Sequence, residues 1–206
     1  MKLRVEATAD RQFGTNSYLV EDEASRDAVI VDANLEPEQM LDLVKRRAVT
    51  VKAILLTHTD VDHIAGLARL LEAFDVPVAV HQAEKEVVSE GKPLRGAFPV
   101  ELPKVERLQE LAEGKPYRAG SLTFEVLHTP GHSPGGVSLR IGEALFTGDA
   151  LFAGSIGRTD FPNSDTEALM AAINQKLMTH PDEVQVFSGH GPPTTIGRER
   201  RYNPFL

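Results

Sequence analysis

Short apolar or alternating segments recur along the chain, and polar or turn-forming residues bound each of them. Such segments are typical of β-strands with one or both faces buried. The pattern predicts nine strands, in the segments LRVEA, NSYLVE, DAVIVDA, VKAILLT, VPVAVH, LTFEVLHT, GVSLRI, EALFTGD and VQVFSG.

Three segments between these strands carry apolar residues at helical spacing. They are EPEQMLDLVKRR, DHIAGLARLLEAF and DTEALMAAINQKLM. The Pro- and Gly-rich segments SEGKPLRGAFPVELPK and TPGHSPGG predict loops, because strand patterns resume on both sides of each. Strands with intervening helices predict a layered α/β architecture. We expect the apolar end of the terminal segment GRERRYNPFL to pack against it; the alternative is a partner-binding tail or a dimer contact.

Length and composition predict one globular domain over residues 1–206, since 41% of the residues are hydrophobic and 25% are charged. The net charge of −8 repels nucleic acid and anionic membranes. We therefore expect a small-molecule substrate, no nucleic-acid or membrane partner, and a monomer or homodimer. The N-terminal segment lacks a signal-peptide pattern and no window approaches the ~20 apolar residues of a membrane span, which predicts a cytoplasmic location.

The chain contains no cysteine. Disulfide bonds, thiolate metal ligands and cysteine nucleophiles are therefore excluded. Any metal site must use histidine and carboxylate ligands.

The segment LTHTDVDHIAG places four such residues directly after a strand. They are His58, Asp60, Asp62 and His63. A single histidine in a loop is usually a surface residue, and a single aspartate before a helix is usually an N-cap. The density of the cluster favours a metal site instead.

Three further residues follow strands in glycine-containing loops, namely His132 in TPGHSPGG, Asp149 in LFTGDALF and His190 in VFSGHGPP. AILLTHTDVDH and FEVLHTPGH echo each other, so two halves could face one another across a shared site. Together the seven residues are enough to hold two metal ions with a position left for water or substrate. His81, His128 and His180 lack this context and are expected to be structural or exposed.

The ordered motifs THTDVDH, TPGHSPGG, FTGDALFAGSIGRTDF and SGHGPPTTIG resemble those of the metallo-β-lactamase superfamily, in particular its short glyoxalase II-like branch. The resemblance covers nearly the whole chain. It implies an αββα sandwich, in which two face-to-face mixed β-sheets are flanked by helices and the metal site lies at one edge between the sheets.

The resemblance also implies the role of each ligand. One metal ion would be held by His58, residue 60 and His132, a second by Asp62, His63 and His190, and Asp149 would bridge both. The expected reaction is hydrolysis of a small thioester, ester or lactone by a metal-bound hydroxide, with Asp62 and Asp149 as catalytic carboxylates. Asp32 is expected either to support the metal-bound imidazoles from behind or to cap its strand.

Asp60 departs from the family pattern THxHxDH, which has a second histidine at this position. As a ligand, Asp60 would add negative charge, make the metal ions weaker Lewis acids and tilt the preference from zinc toward iron or manganese. If Asp60 does not bind, one ion is expected in place of two. Both alternatives stay open, as does a metal-binding module without catalytic activity.

A mononuclear iron persulfide dioxygenase is the alternative enzyme, because that class uses the positions of His58, His132 and Asp149. The segment SGHGPP favours the hydrolase, since the dioxygenases typically have Ala-His-Asp there. The chain ends soon after His190, without the helical domain that holds glutathione in full-length glyoxalase II, so a glutathione thioester is the less favoured substrate. Arg158 is expected to contact a substrate carboxylate or to pair internally with Asp160.

Overall fold

The first of two large β-sheets is formed by the N-terminal half of the chain. In this computed structural model, which describes residues 2–95, 102 and 104–206, the sheet has six strands in sequential order. They are Leu3–Ala9 (β1), Asn16–Asp22 (β2), Asp27–Val31 (β3), Thr50–Leu55 (β4), Val78–Val80 (β5) and Leu108–Glu110 (β6). Strands β1 to β3 are antiparallel and β3 to β6 are parallel, so the sheet is mixed.

The second sheet is also mixed and has the order β14-β13-β10-β9-β8-β7. Its strands are Tyr117–Ala119 (β7), Leu122–His128 (β8), Val137–Ile141 (β9), Ala144–Gly148 (β10), Gln185–Ser188 (β13) and Thr194–Thr195 (β14); the hairpin Leu151–Phe152 (β11) and Ser155–Ile156 (β12) is separate. All nine predicted strands are present. Strands β6, β7, β11, β12 and β14 were not predicted, because each has only two or three residues and shows no alternation of its own.

The described residues form six α-helices, which connect or follow these strands. They are Pro37–Arg47 (α1), Val61–Ile64 (α2), Leu67–Ala73 (α3), Lys85–Glu90 (α4), Thr166–Ala172 (α5) and Ile196–Tyr202 (α6). A 3₁₀ turn precedes α4, and a π-helical turn continues α5.

Two helix boundaries differ from the prediction. The second predicted helix is interrupted at Gly66, where a Cβ atom would lie 2.3 Å from the carbonyl oxygen of Asn34, so the chain packs too closely for an ordinary helical residue. The predicted loop from Ser89 begins two residues late, because Ser89 and Glu90 complete α4. Residues 96–101 and 103 of that loop lie outside the described part of the chain.

Three apolar layers hold the elements together. Side chains such as Val31, Leu55, Phe124 and Phe146 fill the space between the sheets. Helices α1 and α3 cover the outer face of the first sheet, and α5, its π-helical turn and α6 cover the second. This arrangement confirms the αββα sandwich.

The prediction for the chain end was wrong. Tyr202 is 75% exposed and Phe205 is 52% exposed, so these rings do not pack against the sandwich. Among the described helices, none is both long enough and apolar enough to cross a bilayer.

One edge of the sandwich brings several strand ends together. Strands β3 and β4 are parallel, as are β10 and β13, so the polar residues that follow these strands meet at this edge. Hydrogen bonds close the two sheets on each other there: Tyr18 Oη donates to Ser188 O at 2.6 Å, and Val137 N donates to Thr57 O at 2.8 Å.

Candidate metal centre

The seven predicted ligands lie together at this edge. Each belongs to a loop or helix start that follows a strand, and their ligand atoms form three overlapping groups within 4.8 Å: His58, Asp60 and His132; His58, His63 and Asp149; and Asp62, His63 and His190. We call the first group the first set and the third group the second set. These sets match those that the sequence resemblance implied.

Every imidazole of the centre is oriented through its Nδ1 atom. The partner oxygens are Thr57 Oγ1 at 3.1 Å for His58, Asp32 Oδ2 at 2.9 Å for His63, Arg158 O at 2.8 Å for His132 and Phe13 O at 3.2 Å for His190. Carbonyl and carboxylate oxygens only accept, so Nδ1 donates to them. Nε2 is then the ring atom that faces the centre, as in metal-binding histidines.

Asp149 connects the two sets. Its Oδ1 atom lies 3.3 Å from His63 Nε2, while Oδ2 lies 3.4 Å from His190 Nε2 and 3.7 Å from His132 Nε2. A carboxylate that reaches imidazoles of both sets has the geometry of a bridging ligand.

Asp60 faces the first set and a cation at the same time. Its Oδ2 atom lies 3.0 Å from His132 Nε2 and 3.8 Å from His58 Nε2, and it accepts a hydrogen bond from Arg95 Nη1 at 2.6 Å. The carboxylate is therefore placed like a ligand and is also ion-paired.

Close packing of opposite charges shifts the pKa values of the metal-free centre. Burial lowers the pKa of His58, and the neighbouring His63 adds to this effect. Burial opposes protonation of His63 as well, yet the carboxylates of Asp149, Asp32 and Asp62 outweigh it and hold the pKa of His63 well above its usual value. Conversely, His63 and His190 keep the pKa of Asp149 well below its usual value despite burial.

His190 behaves like His63 in a more open position. Burial opposes its protonation, but contacts with Asp149 and Asp62 raise its pKa from 6.5 to about 10. In the metal-free centre, protons on His63 and His190 therefore balance the negative charge of these carboxylates. A metal ion that binds the second set must displace them.

Several buried polar atoms at the centre fit a metal ion. His58 Nε2, His63 Nε2, Asp60 Oδ1 and Asp149 Oδ1 have no hydrogen-bond partner among the described residues. Such atoms are costly to bury unless something binds them. Imidazole nitrogens and carboxylate oxygens are ligands for zinc, iron and manganese, so the donors present suit divalent ions.

Glu84 supports the centre and was missed by sequence reasoning. It is only 1% exposed. Its Oε2 atom accepts hydrogen bonds from the backbone N and Oγ1 of Thr59, each at 2.6 Å, and Oε1 accepts one from Gly135 N at 2.8 Å. Glu84 therefore ties the loop of His58 and Asp60 to the loop that follows His132. There was little indication of this role in the sequence, since a glutamate near the start of a helix is normally predicted to be exposed to solvent.

Asp32 supports the centre from the other side, as one of the two sequence alternatives expected. It accepts hydrogen bonds from Thr57 N and Thr57 Oγ1 as well as facing His63. Its φ angle of 60° is one that Asp adopts more readily than most residues.

Arg158 lies beside the centre and pairs with a neighbouring carboxylate. Its guanidinium group donates two hydrogen bonds to Asp160, at 2.7 and 2.6 Å, and lies 4.4 Å from the ring centre of Phe161. The internal pairing with Asp160 is thus formed, while contact with a substrate stays a prediction. His81 and His128 stack on each other at 4.1 Å, and neither belongs to the three ligand groups.

Comparison with known proteins gives a consistent result. The family model described as the metallo-beta-lactamase superfamily matches residues 10–190. A Haemophilus influenzae protein named hydroxyacylglutathione hydrolase GloC is 34% identical over 210 residues, which cover 99% of this chain and 98% of that protein.

Two solved structures are also similar over nearly the whole chain. TTHA1623 in a di-iron-bound form has 39% identity and a TM-score of 0.84, with 98% of this chain and 100% of that chain covered. ETHE1 from Myxococcus xanthus has 33% identity and a TM-score of 0.78, with 99% of this chain and 84% of that chain covered.

Proposed function

Because the chain belongs to the metallo-β-lactamase superfamily, we propose that it is a metal-dependent hydrolase of small thioesters, esters or lactones. The observation that carries the proposal is the complete donor set, in which every imidazole is oriented from behind and turns Nε2 inward. Two sets joined by Asp149 support binding of two divalent ions, and the di-iron form of TTHA1623 is consistent with this number.

The side chains of the first set and Asp149 would hold one ion, and those of the second set and Asp149 the other. Divalent ions at such a site lower the pKa of bound water and polarise a substrate carbonyl. This chemistry requires no serine or cysteine nucleophile, and the chain contains no cysteine. The chain's contribution is to place the ligands and the groups that orient them.

Asp62 is the carboxylate best placed to act on the substrate side. Its Oδ2 atom accepts a hydrogen bond from Thr15 Oγ1 at 2.7 Å, and the side chain remains 17% exposed. Thr15 in turn is fixed through its backbone N, which donates to Asp10 Oδ2 at 2.9 Å. We assign Asp62 the role of orienting the attacking water, and Asp149 the role of holding both halves of the centre in register.

The name of the Haemophilus relative supports a hydroxyacyl thioester of glutathione as the first substrate to test. That protein has almost the same length as this chain, so a short chain is no argument against such a substrate. Arg158, which is 63% exposed, could leave Asp160 to meet a carboxylate of the substrate.

The second candidate function is iron-dependent persulfide oxidation. It rests on the close approach of His132 to Asp149, at 3.7 Å between Nε2 and Oδ2. With His58, these are the residues that the sequence resemblance assigns to this reaction. The segment SGHGPP at His190 favours the hydrolase.

One experiment separates the two. The chelator-treated protein is loaded separately with zinc, manganese or iron and tested on a hydroxyacyl glutathione thioester, simple thioesters, aryl esters and lactones, with oxygen uptake measured on glutathione persulfide. Hydrolysis that His132→Ala abolishes supports the proposal. Oxygen uptake by the iron form without hydrolysis by any form would establish the second candidate instead.

A further inference from the structure

Arg95 is held against the metal centre by four contacts. Besides its hydrogen bond to Asp60, its guanidinium donates to the carbonyl oxygen of His132 and, at 3.2 Å, to Asn163 Oδ1. It also lies 3.8 Å from the ring centre of Phe161. The side chain is only 15% exposed, so this arginine is fixed in place and is not a mobile surface residue.

Arg95 and a metal ion in the first set would share one carboxylate, that of Asp60. Asp60 Oδ2 is the atom that faces His58 Nε2 and His132 Nε2, and it is also the atom that Arg95 Nη1 contacts at 2.6 Å. A cation placed among these three ligands meets a positive charge already bound to one of them. The guanidinium thus weakens the donor and repels the incoming ion.

Among the described residues, the second set has no such competitor. The hydrogen bonds and ion pairs of the Asp62 and His190 side chains there are with Thr15, Phe13 and other members of the centre, and none is with a guanidinium group. The two sets therefore differ in charge as well as in ligand type.

Arg95 also accounts for how an aspartate is tolerated at position 60. With three carboxylates, the centre carries one more negative charge than it would with a neutral histidine there. The Arg95 guanidinium is ion-paired with the extra carboxylate and neutralises its charge. The pair Asp60 and Arg95 is then equivalent in net charge to a single neutral imidazole.

We infer that Arg95 is a built-in counter-cation of Asp60, which keeps the first set the weaker and more exchangeable of the two metal sites. The inference rests on the metal-binding part of the proposed function and not on its substrate. Its consequence is ordered filling: the second set binds its ion first, and the first set follows only at higher metal concentration.

The test is a zinc titration of the chelator-treated full chain. We expect Arg95→Met to raise the zinc affinity of the weaker site at least tenfold, or to raise the stoichiometry from one zinc per chain to two. The zinc affinity of the tighter site should stay within twofold of wild type. Arg95→Lys keeps the charge and should stay within threefold of wild type. Arg69→Met removes a guanidinium that pairs with Glu38 and Glu72 and with no ligand side chain, and should change neither site more than twofold.

Thermal unfolding gives a second readout. Without metal, Arg95→Met should unfold at a lower temperature than wild type, because Asp60 loses its counter-charge; zinc should then raise its unfolding temperature more than it does in wild type. If Arg95 only packed its loop, Arg95→Met would lower the unfolding temperature of the metal-free and the zinc-bound protein by the same amount.

An unchanged or weakened first site in Arg95→Met, or an equal gain in Arg69→Met, overturns the inference. A wild-type chain that binds no zinc at all overturns both this inference and the proposed function. Zinc binding as expected without cleavage of any substrate contradicts the hydrolase proposal alone.

Discussion

Asp32 holds His63 from behind, with 2.9 Å between its Oδ2 atom and Nδ1 of the imidazole. Asp32 directly follows β3, whereas His63 lies in α2, and both residues are buried. The same carboxylate accepts hydrogen bonds from the backbone N and the hydroxyl of Thr57, the residue before His58. One side chain thus positions ligands of both sets.

Replacing Asp32 with Asn should weaken metal binding about 10- to 100-fold, the usual effect of losing a partner behind a metal-bound histidine. An amide can still accept from Thr57, but it removes the negative charge that favours Nδ1–H of His63. The measurement is zinc affinity by competition with a chelator. Asp27→Asn, at the other end of β3, is the control and should leave the affinity unchanged. Equal affinities for Asp32→Asn and wild type would contradict the role assigned to this pair.

Replacing Glu84 with Ala should lower the free energy of unfolding by about 3 kcal/mol or more, because two backbone N–H groups and the Thr59 hydroxyl lose their acceptor in a buried place. Urea unfolding of the metal-free protein measures this. Glu86→Ala, at an exposed position in the first turn of α4, should change stability by no more than about 0.5 kcal/mol. Glu84→Gln keeps one acceptor oxygen and should fall between them.

Gly189→Ala should abolish high-affinity metal binding in the second set. The added Cβ atom would lie 2.1 Å from Asp149 Oδ1 and 2.6 Å from His63 Cε1, so ligands must move apart. Gly142→Ala is the control: its φ of 57° imposes backbone strain, but a Cβ there meets no atom within 4 Å. We expect that control to lose about 1 kcal/mol of stability and to keep its zinc affinity. Normal zinc binding by Gly189→Ala would show that the centre tolerates a displacement the structure does not allow for.

Metal-free protein should lose stability as the pH rises from about 6.5 to about 10 through deprotonation of His190. Its pKa is higher in the folded chain than in the unfolded chain, so the stabilisation is complete below about 6.5 and lost through the folded value. Urea unfolding near pH 7 and near pH 10 tests this. His190→Gln should show a flatter profile, and an identical slope in the variant would assign the loss to other groups.

The elements with a strong pattern were predictable from sequence, and the short ones were not. Segments such as VKAILLT carry enough apolar residues to specify a buried strand in isolation. Strand β6 has the burial of an edge strand and exists only because β5 offers it hydrogen-bonding partners. At the interruption, the backbone N of Gly66 donates to Ala33 O, and Ala33 lies more than thirty residues earlier in the chain.

The ligands were predictable for a similar reason, since each follows a strand and six of the seven match a family motif. Arg95 and Glu84 were not, because their partners are distant in sequence and neither lies in a recognisable motif. Asp60 was the one residue whose identity indicated that a further, unpredicted residue must belong to the centre. A third carboxylate in a buried centre needs a counter-charge, but nothing in a single sequence shows which of 22 basic residues provides it.

The ligands come from both sheets: His58, Asp60, Asp62 and His63 follow β4 of the first, whereas His132, Asp149 and His190 follow strands of the second. Coordination would therefore clamp two layers that are otherwise joined at this edge by a few hydrogen bonds. In a chain without cysteine, the bound ions would be its cross-links. Chelation should then loosen the seam between the layers first at this edge, while the far end of the sandwich stays closed.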